Sequence, residues 1–514
     1  MNTPVPAGAA ANDDARADLP ADLLAGRSAL APVTDISEAL PGHDEVVTLS
    51  LREALALLDE RLAGRVVIPG DPGWDEARAA WNLAVDQRPV AVVVAGSEND
   101  IVHAVRTAKG LGLSVAPQAT GHNAGPLAAA NGLADSLLLR TSELRGVQVD
   151  PDLRVARVEA GALWGDVVAA AAPHGLAALA GSSHDVGVVG YTLGGGISWL
   201  GRTHGLAANS VLAVELVTAD GVRRRVDADH DPELFWAVRG GGGDFGVVTA
   251  LEFRLYAIAE IVGGTLFFPL ERAEEVLQAW AAWTAGVPDT VTSVGRVLRL
   301  PPMPELPPFL SGQSFVVVEA AIQESPERAD ELLAPLRALA PAMDSVHPQP
   351  VAELLQLHMD PPAPTPGYGD GMLLAELPPA AVRAFIAAVG PESGSALLSA
   401  EIRHVGGGLA PEVALATAAE RGTPAPGAVA GLEAEYLVFG VGIAVPGAGE
   451  ALAASLGRLL SRVEPWRAPV DYLNFAEHER PAERLFGERV HRLRAVKQAV
   501  DPTGVIRSNH PVGR

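Results

Sequence analysis

The chain of 514 residues contains no cysteine, which removes disulfide frameworks, thiolate metal sites and thiol nucleophiles at once. Any redox chemistry must then come from a bound cofactor. Positive charge is also short: the formal net charge is −24, which opposes phosphate backbones and anionic lipid surfaces, so no nucleic-acid partner is expected. Nor is there a run near the roughly 20 apolar residues that a spanning helix needs, since Pro446 and Glu450 interrupt 437–460, and no membrane partner is expected. Residues 1–45 lack the basic and apolar regions of a secretory signal and, rich in Ala, Pro and Asp, read as a disordered lead-in. A cytoplasmic monomer or homodimer is the expectation.

Several catalytic signatures are missing as well. There is no G-x-S-x-G elbow, no H-E-x-x-H and no G-x-x-x-x-G-K-[ST], which leaves the common hydrolase and nucleotidase readings without support. The 13 histidines are dispersed singly, and no spacing argues for a metal site.

What is present is length for two to three domains and a globular apolar content of 48%. Apolar spacing predicts a short helix in 46–62 and a strand ended by Pro69-Gly70. A β-α-β unit follows. Pro89-Val-Ala-Val-Val-Val is its buried strand, Ser97 caps its helix with Glu98 and Asp100 in the first turn, and Leu113-Ser-Val-Ala-Pro begins the second strand. That strand runs into the loop Gln118-Ala-Thr-Gly-His-Asn-Ala-Gly125. Strands are predicted at 136–140, 154–160 and 211–218, with a helix at 163–174 stopped by Gly175. From about Ile258 long alternating segments such as Ser314-Phe-Val-Val-Val-Glu-Ala-Ala-Ile intersperse with helices, an α+β composition. The proline-rich stretches 301–308 and 361–366 read as surface loops, and 481–500 as one long amphipathic helix.

The segment Gly241-Gly-Gly-Asp-Phe-Gly246 fits G-x-G-x-x-G. A dinucleotide fingerprint must lead into a helix, whereas Val247-Val-Thr-Ala-Leu-Glu-Phe-Arg-Leu alternates as a strand, so the nicotinamide reading is rejected. His122 stands between Gly121 and Asn123 directly after a strand, where small residues let backbone N–H groups approach a phosphate. Alone, such a histidine is more often structural; its combination with the glycine stretches changes the weighting.

Four motifs carry a resemblance in order: Thr120-Gly-His-Asn; Val186-Gly-Val-Val-Gly-Tyr-Thr-Leu-Gly-Gly-Gly196; Leu234 to Thr249 with its five glycines; and Tyr472-Leu-Asn-Phe475 followed by Asp501-Pro through Asn509. In these the chain resembles the berberine bridge enzyme-like branch of the flavoproteins that share the vanillyl-alcohol oxidase and p-cresol methylhydroxylase fold. The resemblance implies a two-lobed FAD-binding domain of the p-cresol methylhydroxylase type at 46–257. A substrate domain at 258–465, with an antiparallel sheet covered by helices, and a C-terminal segment at 466–514 returning to the FAD domain complete it. It further implies FAD bound covalently through His122. Relatives often add a cysteine bond where this chain has Ser183, so a single histidyl bond is expected. By the same alignment Gln118, Ala119, Thr120, Gly121 and Asn123 surround the pyrophosphate; Val186, Gly187, Gly190, Gly194 and Gly195 follow the flavin; Val248 lies near the adenine; and Tyr472, Asn474 and Asn509 close over the ring.

The family's usual tyrosine base is replaced by Phe475. Candidate bases are, in order, Tyr472, His404, Tyr191 and Glu401, with strand alternation placing Glu401 and Arg403 on one face and Ile402 and His404 on the other. Relatives tend to have a valine at the position of Val186 where oxygen reaches the reduced flavin, so the resemblance leans towards an oxidase reducing molecular oxygen to hydrogen peroxide. The alternatives are a dehydrogenase with another acceptor and a flavin-binding protein without turnover. With 5% aromatic residues, a stacking platform for oligosaccharides is disfavoured, and a C–OH or C–N group of a small metabolite or secondary-metabolite intermediate is the expected substrate.

Overall fold

The computed structural model describes residues 49–129, 132–302, 310–421 and 423–513. The expected lead-in at 1–45 and most of the 301–308 loop lie outside them. Three sheets organise the chain. The first has the order β1-β2-β4-β3, from β1 (Arg65–Val67), β2 (Ala91–Val94), β3 (Ser114–Gln118) and β4 (Ser136–Arg140). Strands β2, β4 and β3 run parallel, as a β-α-β crossover requires, and β1 pairs β2 antiparallel. The crossover helix, Glu98–Gly110, starts where predicted: the Ser97 hydroxyl accepts from Asp100 N, and the Asp100 carboxylate takes the backbone N–H groups of Ala63, Gly64 and Gly96.

The second sheet is antiparallel, ordered β5-β6-β9-β7-β8, from β5 (Val147–Asp150), β6 (Val155–Glu159), β7 (Val211–Val217), β8 (Arg223–Asp227) and β9 (Val247–Arg254). The glycine run 240–246 therefore feeds a strand, the property that set the nicotinamide reading aside.

The third sheet takes the strands after residue 258: β10 (Glu260–Pro269), β11 (Val291–Arg299), β12 (Ser314–Ile322), β13 (Met343–Asp344), β14 (His347–Pro350), β15 (Gly367–Leu374), β16 (Ser399–His404) and β17 (Tyr436–Ile443), in the order β13-β10-β12-β11-β16-β17-β15 with β14 also on β10. Helices Ala273–Thr284, Pro326–Arg337, Pro379–Val389 and Gly449–Val463 pack one face through a core containing Trp280, Phe385, Ile402, Val438 and Leu459. Period-2 alternation sends Arg296, Leu298, Glu401, Arg403, Phe439 and Val441 to the other face, where they line a cavity.

The C-terminal segment corrects one expectation. Instead of one helix over 481–500, Ala482–Phe486 and Val490–Val500 are separated by a turn at 487–489, where Gly487 has φ +53°, a left-handed conformation that glycine adopts without strain. Beyond it, Lys497 is buried against the Asp244 carbonyl and the Asp501 carboxylate, and Arg507 reaches Ser114 and Asp135. The end of the chain is thereby fastened to the first two sheets. Among the described residues no helix is long and apolar enough to cross a membrane, and no group of His, Asp and Glu could hold a metal ion.

Candidate active site

A cavity of about 1030 Å³ runs between the first two sheets and the third, at the upper end of the size expected for a ligand site. On one wall are the loop after β3 and the glycine turn into the short helix Val188–Leu193. Gln118, Ala119, Thr120, Gly121, His122, Asn123, Val186, Gly187, Gly190, Tyr191, Gly194, Val248, Asn474 and Asn509 all line it. Gly195 and Tyr472 stand just behind: a Cβ on Gly195 would meet Tyr472 Cε2 at 3.3 Å.

The loop is held by its neighbours. The His122 ring stacks on Trp81 with centroids 4.2 Å apart and planes 16° apart, and its Nδ1 is 2.8 Å from Thr120 Oγ1. Asp185 Oδ1 lies 3.5 Å from His122 Nε2, an ion-pair approach rather than a formed hydrogen bond, while Trp81 Nε1 and Ser183 Oγ donate to the same carboxylate at 2.5 and 2.8 Å. Burial opposes that charge, but contacts from His122, Ser183 and Trp81 hold the Asp185 carboxyl down at about 2. Asn123 Nδ2 donates to the Ala476 carbonyl at 3.1 Å, Asn509 donates to the Asn123 carbonyl, and His510 Nε2 donates to Ala476 O at 2.8 Å.

The sheet wall is charged. Arg296 and Glu401 are cross-strand partners on β11 and β16, and Glu319 lies diagonally on β12. His358 sits among them, Nδ1 2.6 Å from Glu319 Oε2 and Nε2 2.7 Å from Glu401 Oε2. Arg296 reaches Glu319 at 2.7 Å and Arg403 reaches Glu401 at 2.6 Å. Burial and Arg296 disfavour a charged imidazole, yet Glu319 and Glu401 outweigh them and push His358 up to about 9. Burial likewise opposes the Glu401 charge, and Arg403 and His358 hold its carboxyl far below the usual range.

The four base candidates therefore separate. Glu401 and Tyr191 line the cavity, but Tyr191 OH donates to the Leu179 carbonyl at 3.1 Å and burial raises it well above an ordinary phenol. Tyr472 OH accepts from Gly196 N at 2.8 Å and from Asn474 Nδ2 at 3.0 Å, and burial raises it too. His404 is on the helix side of β16, stacked on Tyr436 and lowered by burial to about 3, outside the cavity.

Sequence reasoning missed Trp81, Asp185, Arg296, Glu319, His358 and Glu477. Glu477 lines the cavity two residues beyond Phe475. Gly369 and Gly371, on one face of β15, seat the pair: their Cβ positions would fall 3.2 Å from Glu477 Oε2 and 3.1 Å from Phe475 Cβ. Burial, then Asp370, raises the Glu477 carboxyl to about 7. A signal existed for Glu319, the one charge in an otherwise apolar strand prediction; none existed for His358, which sits on a loop.

Two features show that this wall suits a large cofactor. A Cβ on Gly190 would meet nothing within 4 Å, so that backbone opens onto free space. Asn123 Oδ1 is buried without a hydrogen-bond partner, a costly state that a ligand contact relieves.

Comparison with known proteins agrees with this geometry. Residues 89–227 match the family described as FAD binding domain, and residues 471–513 the one described as berberine and berberine like. An uncharacterized FAD-linked oxidoreductase, YgaK of Bacillus subtilis, is 32% identical over 238 residues, 45% of this chain and 52% of that protein. The (R)-6-hydroxynicotine oxidase of Paenarthrobacter nicotinovorans is 36% identical over 197 residues, 38% of this chain and 42% of that protein. The match thus spans about half the length of these relatives. Among solved structures, BBE-like 1 of Physcomitrella patens superposes with a TM-score of 0.76 at 21% identity, over 91% of this chain and all of that one, which shows a shared fold. This chain thus carries an FAD-binding domain over 89–227 and a berberine-like segment over 471–513.

Proposed function

We propose that the protein is an FAD-dependent oxidase that holds its flavin by one covalent bond from His122 and oxidises a C–OH or C–N group of a small metabolite, with dioxygen as acceptor and hydrogen peroxide as product. The observation that carries this reading is that one cavity sets His122 and the glycine loops of an FAD-binding domain opposite a wall of charged side chains. Bound FAD would supply a two-electron acceptor for hydride from the substrate. The chain's part is to hold and orient. Gly190 allows backbone approach, while Asn123, Asn474 and Asn509 tie the C-terminal segment over the site.

A substrate losing hydride must also lose a proton, and Phe475 cannot take it. The proposed acceptor is Glu477. Tyr472 and Tyr191 are raised and engaged, Glu401 is locked between Arg403 and His358, and His404 faces away. A carboxyl near 7 on the cavity wall suits general-base work at neutral pH. Leu298, Leu398, Val441 and Ile443 beside Arg403 and Glu401 favour a mostly apolar molecule with one polar or ionisable group.

The test is acid denaturation of the purified protein. Yellow flavin should precipitate with the wild type and be released, or never bound, in His122→Ala. A panel of cyclic amines and small alcohols should then bleach the flavin anaerobically, with hydrogen peroxide appearing on admission of air. Colour that returns only with an artificial acceptor assigns a dehydrogenase, and flavin-free wild type rejects the reading.

A further inference from the structure

Asp185 lies in the turn Ser183-His184-Asp185 that precedes the flavin-side helix. A half-buried carboxylate fixed by Ser183 Oγ and Trp81 Nε1 would by itself be an ordinary loop brace. Its third neighbour makes the difference. His122 Nε2 is buried, has no hydrogen-bond partner, and faces Asp185 Oδ1 at 3.5 Å, while the opposite ring nitrogen, Nδ1, is matched to the Thr120 hydroxyl at 2.8 Å. The Trp81 indole under the ring restricts its tilt.

These partners favour one tautomer. A carboxylate can only accept, so the nitrogen facing Asp185 carries the proton, and Thr120 Oγ–H donates to a lone pair on Nδ1. Nε2 is closed off from the cavity, which leaves Nδ1 as the nitrogen that a ligand can reach once the threonine hydroxyl turns aside. We propose that Asp185 is the positioning residue for flavin attachment: it holds the Nε2–H tautomer and balances the charge that develops on the imidazole, so that the covalent bond forms at Nδ1. The inference rests on the reading that His122 carries the flavin.

The overall step balances. One C–H bond of the flavin 8α-methyl group and the N–H bond of the imidazole break, and one N–C bond forms. The two electrons and two protons released reside in reduced flavin until dioxygen takes them as hydrogen peroxide. Asp185 does not change its own protonation across the net reaction.

The experiment uses the full chain made flavin-free in riboflavin-starved cells and mixed with FAD in air. Covalent product is followed by fluorescence of denaturing gels and by intact mass, and tight non-covalent FAD by gel filtration. Wild type should convert fully, and His122→Ala not at all. Asp185→Asn should bind FAD yet attach it roughly 10- to 100-fold more slowly, the usual scale for losing the partner that orients a histidine. Asp185→Ala should regain rate with added formate, which a purely structural defect would not allow. The flavin peptide from wild type should show the bond at Nδ1 by NMR. Attachment by Asp185→Asn at the wild-type rate, or a bond at Nε2, overturns the inference while leaving the His122 reading intact. Wild type that forms no covalent product overturns that reading and this inference with it. Should Asp185→Asn fail to bind FAD, the linkage atom in wild type decides.

Discussion

The two long walls of the cavity are made of opposite materials. The loop wall is glycine, short polar side chains and exposed backbone, drawn from contiguous loops at 118–125, 186–196 and 240–246. The sheet wall is polar, formed by Arg296, His358, Glu401 and Arg403 with Glu319 packed behind them, drawn from three strands and a loop and nearly sealed from solvent. One wall invites a ligand by removing atoms; the other presents a fixed pattern of charge that is expensive to assemble and holds its shape for that reason. Between them, on the seam where the C-terminal segment crosses β15, sits Glu477.

The seam should show the largest effect. If Glu477 takes the substrate proton, Glu477→Gln retains flavin but loses activity on the order of 10²- to 10⁴-fold. In wild type, kcat/KM should rise with pH through about 7 as the carboxylate forms. Stability runs the other way: the raised carboxyl favours the folded state while protonated, so stability falls as pH climbs from 4.5 towards 7. A Gln variant that keeps the wild-type pH profile would return the base to another group.

Next comes the sheet wall itself. Glu319 is fully buried and balances both Arg296 and His358. Glu319→Gln leaves charge without its counterion and should cost about 3–5 kcal/mol in denaturant unfolding. A loss below 1 kcal/mol would mean that the wall is not an electrostatic unit.

How far each wall could be read from sequence follows from how it is built. The loop wall was legible as local structure, because strand, small residues and His122 stand in a row, and alternation in 247–254 identified a strand in place of a dinucleotide-binding helix. Alternation also paired Glu401 with Arg403. It could not say that Arg296 lies opposite Glu401, because that depends on the register between β11 and β16, nor that the loop before β15 delivers His358 between two carboxylates. The helix expected over 481–500 failed at Gly487, where apolar periodicity continues across a turn.

The charge pattern carries its own pH signature. His358 is raised from 6.5 to about 9, so the proton it holds in the fold contributes stability fully present below 6.5 and lost as pH rises through 9. The full swing is about 3 kcal/mol. Thermal melts from pH 6 to 10 should show this decline, and His358→Gln should flatten it.

The smallest effects distinguish space kept for packing from space kept for a ligand. At Gly194 an added Cβ would sit 1.8 Å from Asn474 Oδ1, and Asn474 cannot yield easily because its amide donates to the Tyr191 carbonyl and the Tyr472 hydroxyl. Gly194→Ala should destabilise even the flavin-free chain, by about 1–3 kcal/mol as overpacking does. At Gly190 the added methyl meets no protein atom and lies in the helix Val188–Leu193, where alanine is favoured by up to about 1 kcal/mol. Flavin-free Gly190→Ala should therefore melt at or slightly above the wild-type temperature, while its rise in melting temperature on adding FAD shrinks. Equal gains from FAD in the two proteins would show that the opening at Gly190 is not where the cofactor lies against the backbone.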